Sequence, residues 1–257
     1  MRRRTQRTII ASLTALTVMA IFLAGILYYF LFSSQFYPQQ TVYIYIGAHD
    51  SATSVYQQVQ RIGKAHNMTG FKWLASYRKY DQHMRTGRYA IYPQDNAYQV
   101  FHRIYRGHQT PINLTIGSVR TLDKLAKSLG KQLMIDSAEI ARQMNDSLFY
   151  QKLGYQKESL PCLFIPNTYE VYWNISVDAL FQRLQKEHER FWNQSRLEKA
   201  KAIGMTPEEV GTLASIVEEE TNNKTERPIV AGLYINRLHK GMPLQADPTI
   251  KFAVQDF

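Results

Sequence analysis

The longest uninterrupted apolar stretch of the chain runs from Ile9 to Phe32 without one charged residue, more than the roughly 20 residues a membrane-spanning helix needs. It ends in Tyr28-Tyr-Phe-Leu-Phe32, the composition of an interfacial aromatic belt. A cleaved signal peptide would have a shorter apolar core followed by a small-residue site, so the run reads as an uncleaved anchor. Beyond it the pattern shortens and alternates. Thr41 to Ile46 is a β-rich run closed by Gly47, and Asp50 or Ser51 caps a helix carrying Val55, Val59 and Ile62. A second helix carries Phe71, Leu74 and Tyr77. Gly87 to Tyr92 is another strand, ended by Pro93, and Ala97, Val100, Phe101 and Ile104 stripe a helix that Gly107 stops. Further on, the pattern predicts a strand over Ile112 to Ile116, a helix over Thr121 to Leu129, and one long helix from Val177 to about Ala202 striped by Leu180, Leu184, His188 and Phe191. The fold class is α+β.

The strongest local signal comes near the end. Thr206 can cap a helix, Pro207 suits its first position, and Glu209 completes a capping box, so a helix is predicted from Pro207 to Glu220. Val210, Leu213, Ala214 and Val217 mark its buried face.

Charge orients the anchor. Four of the ten net positive charges sit on Arg2, Arg3, Arg4 and Arg7, with no acid among them. The positive-inside rule places this tail, residues 1–8, in the cytoplasm and everything after the span, residues 9–33, on the far side of a cytoplasmic (inner) membrane. The remaining excess is mild, with no basic run interleaved with aromatics, so nucleic acid is excluded as a partner. The single cysteine, Cys162, can form no internal disulfide and reads as a small hydrophobe. The seven histidines are scattered without metal-ligand spacing. Neither a metal nor a cofactor is expected.

Candidate chemistry lies in Leu213-Ala-Ser-Ile-Val-Glu-Glu-Glu-Thr221, where three adjacent acids end an otherwise apolar helix. An acid run is usually a solvated face, and acids at a helix C-terminus oppose its dipole by a few tenths of a kcal/mol each. Against that, at about 100° per residue Glu218 and Glu220 flank the apolar stripe while Glu219 points to solvent. A carboxyl half desolvated at a cleft wall is raised in pKa and suits general acid–base work. Periodicity does not separate Glu218 from Glu220.

The segments LASIVEEET, AGLYINRL and GMPLQADPTIKFA, in that order and spacing, resemble the MltG (YceG-like) family of membrane-anchored endolytic murein transglycosylases. Ala246, Ile250 and Phe252 stand where that family usually has Ser or Thr, Val, and Tyr. Leu160 to Val171 resembles a further block of the family, and Thr115-Ile-Gly-Ser departs from its usual TIPEG. Residues 34–110, through RTGRYAIYPQDNAYQVFHRIYRG, are similar to the family's LysM-like subdomain. Residues 111–257 then form the YceG-like catalytic domain, which the family usually continues well past the DPT motif, so an incomplete domain is expected.

The resemblance implies an enzyme with Glu218 as its catalytic acid and base, cleaving the MurNAc-GlcNAc bond of nascent peptidoglycan strands to leave 1,6-anhydro-MurNAc ends and terminate elongation. It implies that Glu220, Thr221, Asn236, Gln245 and Asp247 bind substrate or orient the acid, and that peptidoglycan synthases are partners. Arg237 reads as a structural ion-pair partner. Two other readings stay open: a scaffold that binds peptidoglycan without turnover, and a muramidase that uses water with Glu170 as a second carboxylate.

Overall fold

In the computed structural model, residues 2–254 are described, with side chains from residue 12 onward; the side chains of Arg2, Arg3, Arg4 and Arg7 lie outside the described residues. Helix α1 (Arg2–Phe32) contains the apolar run. Its stretch Ser12–Phe32 has a mean hydropathy of 2.2, enough by length and composition to cross a membrane.

The chain divides into two compact units, Met1–Ile112 with Glu170–Asn174, and Asn113–Tyr169 with Ile175–Phe257. In the first unit the order is β1 (Val42–Ile46), α2 (Ala52–Ile62), α3 (Thr69–Tyr77), β2 (Gly87–Ile91) and α4 (Ala97–Arg106). The two strands pair antiparallel, Val42 opposite Ile91 and Ile46 opposite Gly87. Ile44, Ile46, Tyr89 and Ile91 bury one sheet face against Val55, Val59, Phe71, Val100 and Phe101, as strand and helix periods require. Of the two caps offered for α2, Ser51 is the one used; Gly107 stops α4 as expected, and Asn96 adds a cap that the pattern reading did not name. Ser51 accepts from the Ser54 amide, Asn96 and Gln99 make a capping box, and Gly107 closes α4 with φ of 73°, a conformation that a Cβ disfavours. Asp95 is buried and satisfied by Arg103 at 2.8 Å and by the Tyr92 amide, which a buried charge requires.

The end of α1 is built into this unit. Leu31 is buried in its core, and Gly70 of α3 lies so close that a Cβ there would sit 2.0 Å from the Phe30 carbonyl oxygen. The chain after the helix is held as well: Asn96 donates to the Phe32 carbonyl, Ser34 bridges Asn96, and Phe36 is fully buried.

The second unit holds most of a strand pair, β3 (Ile112–Ile116) with β4 (Asn167–Val171). Between these strands run α5 (Leu122–Gln132), α6 (Ser137–Asn145) and α7 (Ser147–Lys152); after them come α8 (Val177–Phe191), α9 (Gln194–Ala202), α10 (Pro207–Glu220), α11 (Arg227–His239) and α12 (Asp247–Val254). Helices α6 and α7 have no counterpart in the pattern reading. The long helix predicted over Val177 to Ala202 is instead two: the chain breaks at Trp192, and Asn193 caps α9 by accepting from the Arg196 amide. An asparagine competes locally for backbone donors and so starts helices better than it continues them.

Candidate active site

The predicted bounds of α10 are those observed, because its start is fixed by a reciprocal pair of hydrogen bonds. The Glu209 amide donates to Thr206 Oγ1 at 3.2 Å, and the Thr206 amide donates to Glu209 Oε2 at 2.8 Å. Leu213 and Val217 are buried against Tyr234 and Ala246, with Ile216, Val230 and Leu244 packed around them. Ala214, expected on this face, is exposed, and Val210 is only half-buried. Gly211 leaves room for Cys162, whose Sγ would stand 3.3 Å from an added Cβ. Burial pushes the Cys162 thiol up from its ordinary pKa, which keeps it a poor nucleophile.

At about 100° per residue the three acids fan out, and each meets a different partner. Glu218 accepts a hydrogen bond from Ser118 at 2.8 Å through Oε2, and its Oε1 lies 3.9 Å from Arg227. Glu219 pairs with Arg120 through two contacts, 3.2 and 2.8 Å. Glu220 accepts from the Tyr234 hydroxyl at 2.5 Å. Burial first, and then this bond to Glu220, pushes the Tyr234 hydroxyl up to about 12, with Asp247 adding to the rise. Tyr234 therefore remains a donor at neutral pH.

Two expectations are corrected by this geometry. Glu219 does not simply point to solvent, because the segment after β3 brings Arg120 to it. Glu218 does not sit in an apolar wall: its side chain is 45% exposed, and the groups beside it are a hydroxyl and a guanidinium. The partly apolar wall was inferred from Ala214, Ile216 and Val217; Ala214 is exposed, while Ile216 and Val217 pack into the cluster with Tyr234 and Ala246.

Thr221 ends α10 in an extended conformation and organises the following turn. Its hydroxyl donates to Glu226 at 2.9 Å and accepts from the Asn223 amide, while Asn223 Nδ2 also donates to Glu226. The Thr221 carbonyl accepts from Arg227 Nε at 3.4 Å. The turn thus fixes where Arg227 begins α11, beside Glu218. Asn236 lies exposed on α11, and Gln245 and Asp247 are exposed in and after the loop that follows it. Gln245 holds φ of 50°, and no hydrogen bond joins these three to Glu218 among the described residues. Tyr234 to Leu238 belong to α11 and Asp247 to Ile250 to α12. Arg237 donates to the Leu244 carbonyl and ties that loop down, and among the described residues it makes no ion pair of the kind expected of it. Glu170 is exposed on β4, among the residues of the first unit.

Ser118, Arg120, Arg227 and Tyr234 were missed as site residues. Two of them stood in stretches the sequence had already marked: Ser118 in the local departure at Thr115 to Ser118, and Tyr234 inside AGLYINRL.

A sequence model of the YceG-like family matches residues 44–257. Proteins named endolytic murein transglycosylase from two Streptococcus pneumoniae strains, D39 and R6, are 25% identical over 229 residues, covering 76% of this chain and 41% of theirs. A Bacillus subtilis protein of the same name is 50% identical over 42 residues, 16% of this chain and 12% of its own. The chain thus spans about two-fifths of the length of the pneumococcal relatives. A crystal structure of a YceG-like protein from Listeria monocytogenes has a similar fold, with a TM-score of 0.54 and 22% identity over 86% of this chain and 77% of that one.

Proposed function

This chain belongs to the YceG-like family, and from that premise we propose that it is a membrane-anchored lytic transglycosylase cutting nascent peptidoglycan strands internally, with Glu218 as the single acid and base. The observation that carries the reading is the setting of Glu218: an exposed carboxyl at the end of a capped, packed helix, within a matched region whose relatives are named for this activity. Exposure gives a glycan strand access, and the packed helix fixes the position.

The chemistry needs one carboxyl used twice. Protonated Glu218 gives its proton to the glycosidic oxygen as the C1–O bond of MurNAc breaks, through an oxocarbenium-like state. The C6 hydroxyl of the same sugar then attacks C1, and its proton returns to the Glu218 carboxylate. The products are a 1,6-anhydro sugar and a free GlcNAc hydroxyl; no water is consumed, and the acid ends as it began. Ser118 holds the carboxylate orientation, and Arg227 lies close enough to stabilise the charged form between the two proton transfers. Glu220 and Thr221 orient the helix end and the Arg227 turn, while Asn236, Gln245 and Asp247, exposed nearby, are assigned to the sugar's N-acetyl and hydroxyl groups. The first unit is read as a LysM-like module, its strand–helix–helix–strand order supporting that assignment. Helix α1 spans the inner membrane with the N-terminus in the cytoplasm, and synthases that polymerise glycan are the partners such a location favours.

Mass spectrometry of glycan released by the protein tests this. Anhydro-MurNAc ends are expected. Reducing ends would mean that water attacked and would bring Glu170 forward as a second carboxylate; retention of glycan with no cleavage would favour a binding scaffold. Glu218→Gln is expected to lower turnover by the ~10²–10⁴-fold typical of lost acid–base catalysis, and an active Glu218→Gln protein overturns the assignment.

A further inference from the structure

Trp73 and Tyr77 are stacked on one another, centroids 5.6 Å apart and planes within 4°, yet they are 50% and 69% exposed. Two large apolar rings ordered together in solvent mark a surface that meets something other than water. Their place on α3 indicates what. At about 100° per residue, Trp73 and Tyr77 fall within roughly 60° of Gly70 on the helix, and Gly70 is the residue pressed against the Phe30 carbonyl at the end of α1. The ring pair therefore continues the side of α3 that faces the apolar helix.

Distance supports the same occupant. Tyr77 is seven residues beyond Gly70, ~10 Å along the axis, and helical side chains lean back toward the N-terminus. The headgroup layer on one side of a bilayer is ~5–8 Å deep, so Trp73, three residues and ~4.5 Å beyond Gly70, stays at its level at any tilt, and Tyr77 does so where α3 runs oblique to the bilayer normal. Phe32 adds a third exposed ring, packed at 5.5 Å against Tyr98 of α4, itself exposed. Arg78 stands 5.8 Å from the Tyr77 ring, and no acid lies within α3. The unit cannot swing these groups away, because the chain after α1 is held by Asn96, by the Ser34 bridge and by buried Phe36.

We propose that Trp73 and Tyr77, with Phe32 and Tyr98, form a lipid-binding foot that rests the first unit in the headgroup layer of the bilayer that α1 enters. The proposal rests on the reading of α1 as a membrane span and goes beyond it: the span alone would only tether the unit, whereas the foot sets its orientation. Tryptophan and tyrosine suit such a layer because each presents an apolar body and a polar tip, and the Arg78 guanidinium adds attraction to anionic lipid.

The full chain in vesicles of zwitterionic and anionic phospholipid tests it. With Trp173→Phe and Trp192→Phe, Trp73 is the sole tryptophan. Its emission should shift to the blue and be largely lost with lipid brominated beside the ester linkage, but not with lipid brominated near the chain end. As a control, Phe22→Trp with Trp73→Phe added reports the span and should show the reverse depth. If the control is quenched by deep bromines while Trp73 responds only to aqueous iodide, the foot is wrong and the span stands. If neither is quenched by lipid, the span fails and takes the foot with it. Trp73 indifferent to brominated lipid but quenched by an N-acetylglucosamine oligomer would make the pair a sugar platform and overturn the proposal. Because the tryptophan replacements touch packed positions, a nitroxide at Tyr77→Cys in a Cys162→Ser chain gives an independent depth: oxygen and metal exposures intermediate between water and the hydrocarbon core support the foot, and purely aqueous exposure overturns it.

Discussion

At the scale of single residues, the acid run is three different side chains rather than a charged face. All three are exposed, but Glu218 accepts from the Ser118 hydroxyl, Glu219 is tied to Arg120, and Glu220 receives the Tyr234 hydroxyl. The Arg120–Glu219 pair is half exposed on both sides, so it contributes at most about 1 kcal/mol and is not expected to bear on turnover. Ser118 is different. A typical hydrogen bond is worth about 1 kcal/mol net, a scale suited to an exposed pair, and on a barrier that is about fivefold. Ser118→Ala should therefore lower kcat about fivefold with KM little changed and with a displaced pH–rate profile, and Ser118→Thr should restore it. An unchanged pH profile would mean that the hydroxyl does not act through Glu218. That partnership was not legible from sequence, because the two residues stand a hundred positions apart and nothing in a helical period reports what a distant segment brings to one face.

At the scale of elements, the ends of the helices were legible because caps are local. Thr206 and Glu209 satisfy each other across three residues, so composition alone locates the start of α10. Thr206→Ala should destabilise the second unit by about 1 kcal/mol, measured as a lower denaturant midpoint with unchanged slope; no change would mean that the capping bonds add nothing net. The division of the predicted long helix into α8 and α9 was decided by Asn193, whose side chain caps as readily as it interrupts. His188, on the predicted stripe of α8, is buried against Tyr155, whose hydroxyl lies 3.3 Å from its Nδ1. Burial lowers its pKa, with Glu208 and Glu189 pulling the other way. The unfolded chain then binds a proton below about pH 6.5 that the folded chain resists. Stability should thus be intact at neutral pH and fall as the pH drops through and below that value. Urea unfolding between pH 7.5 and 5 should show this decline, and the decline should shrink in His188→Gln even if that protein is less stable throughout. An equal slope in both proteins would assign the pH dependence to other groups.

At the scale of the whole molecule, the apolar helix is not a free leader of the first unit, since Leu31 at the end of α1 is packed into that unit's core. Exchanging residues 1–33 for a cleavable signal should leave cleavage of purified glycan intact while cellular function is lost; survival of function in a soluble form would show that confinement at the membrane is unnecessary. The sequence by itself determined the apolar helix, the strand and helix order of the first unit, and the bounds of α10, because each depends on periodicity or on caps acting within a few residues. It also singled out Glu218, through motifs whose order and spacing are a linear property. Only the tertiary structure decided which groups meet that carboxyl. It turned Ala214 outward, carried Ser118 and Arg120 to the acids from the segment after β3, and set Arg227 beside them through a turn built on Thr221, Asn223 and Glu226. It also assigned Glu170 to Asn174 to the first unit. The physical reason is common to all of these: a side chain's partners and exposure follow from which segments fold over it, and contacts closed by long loops leave no period in the sequence that forms them.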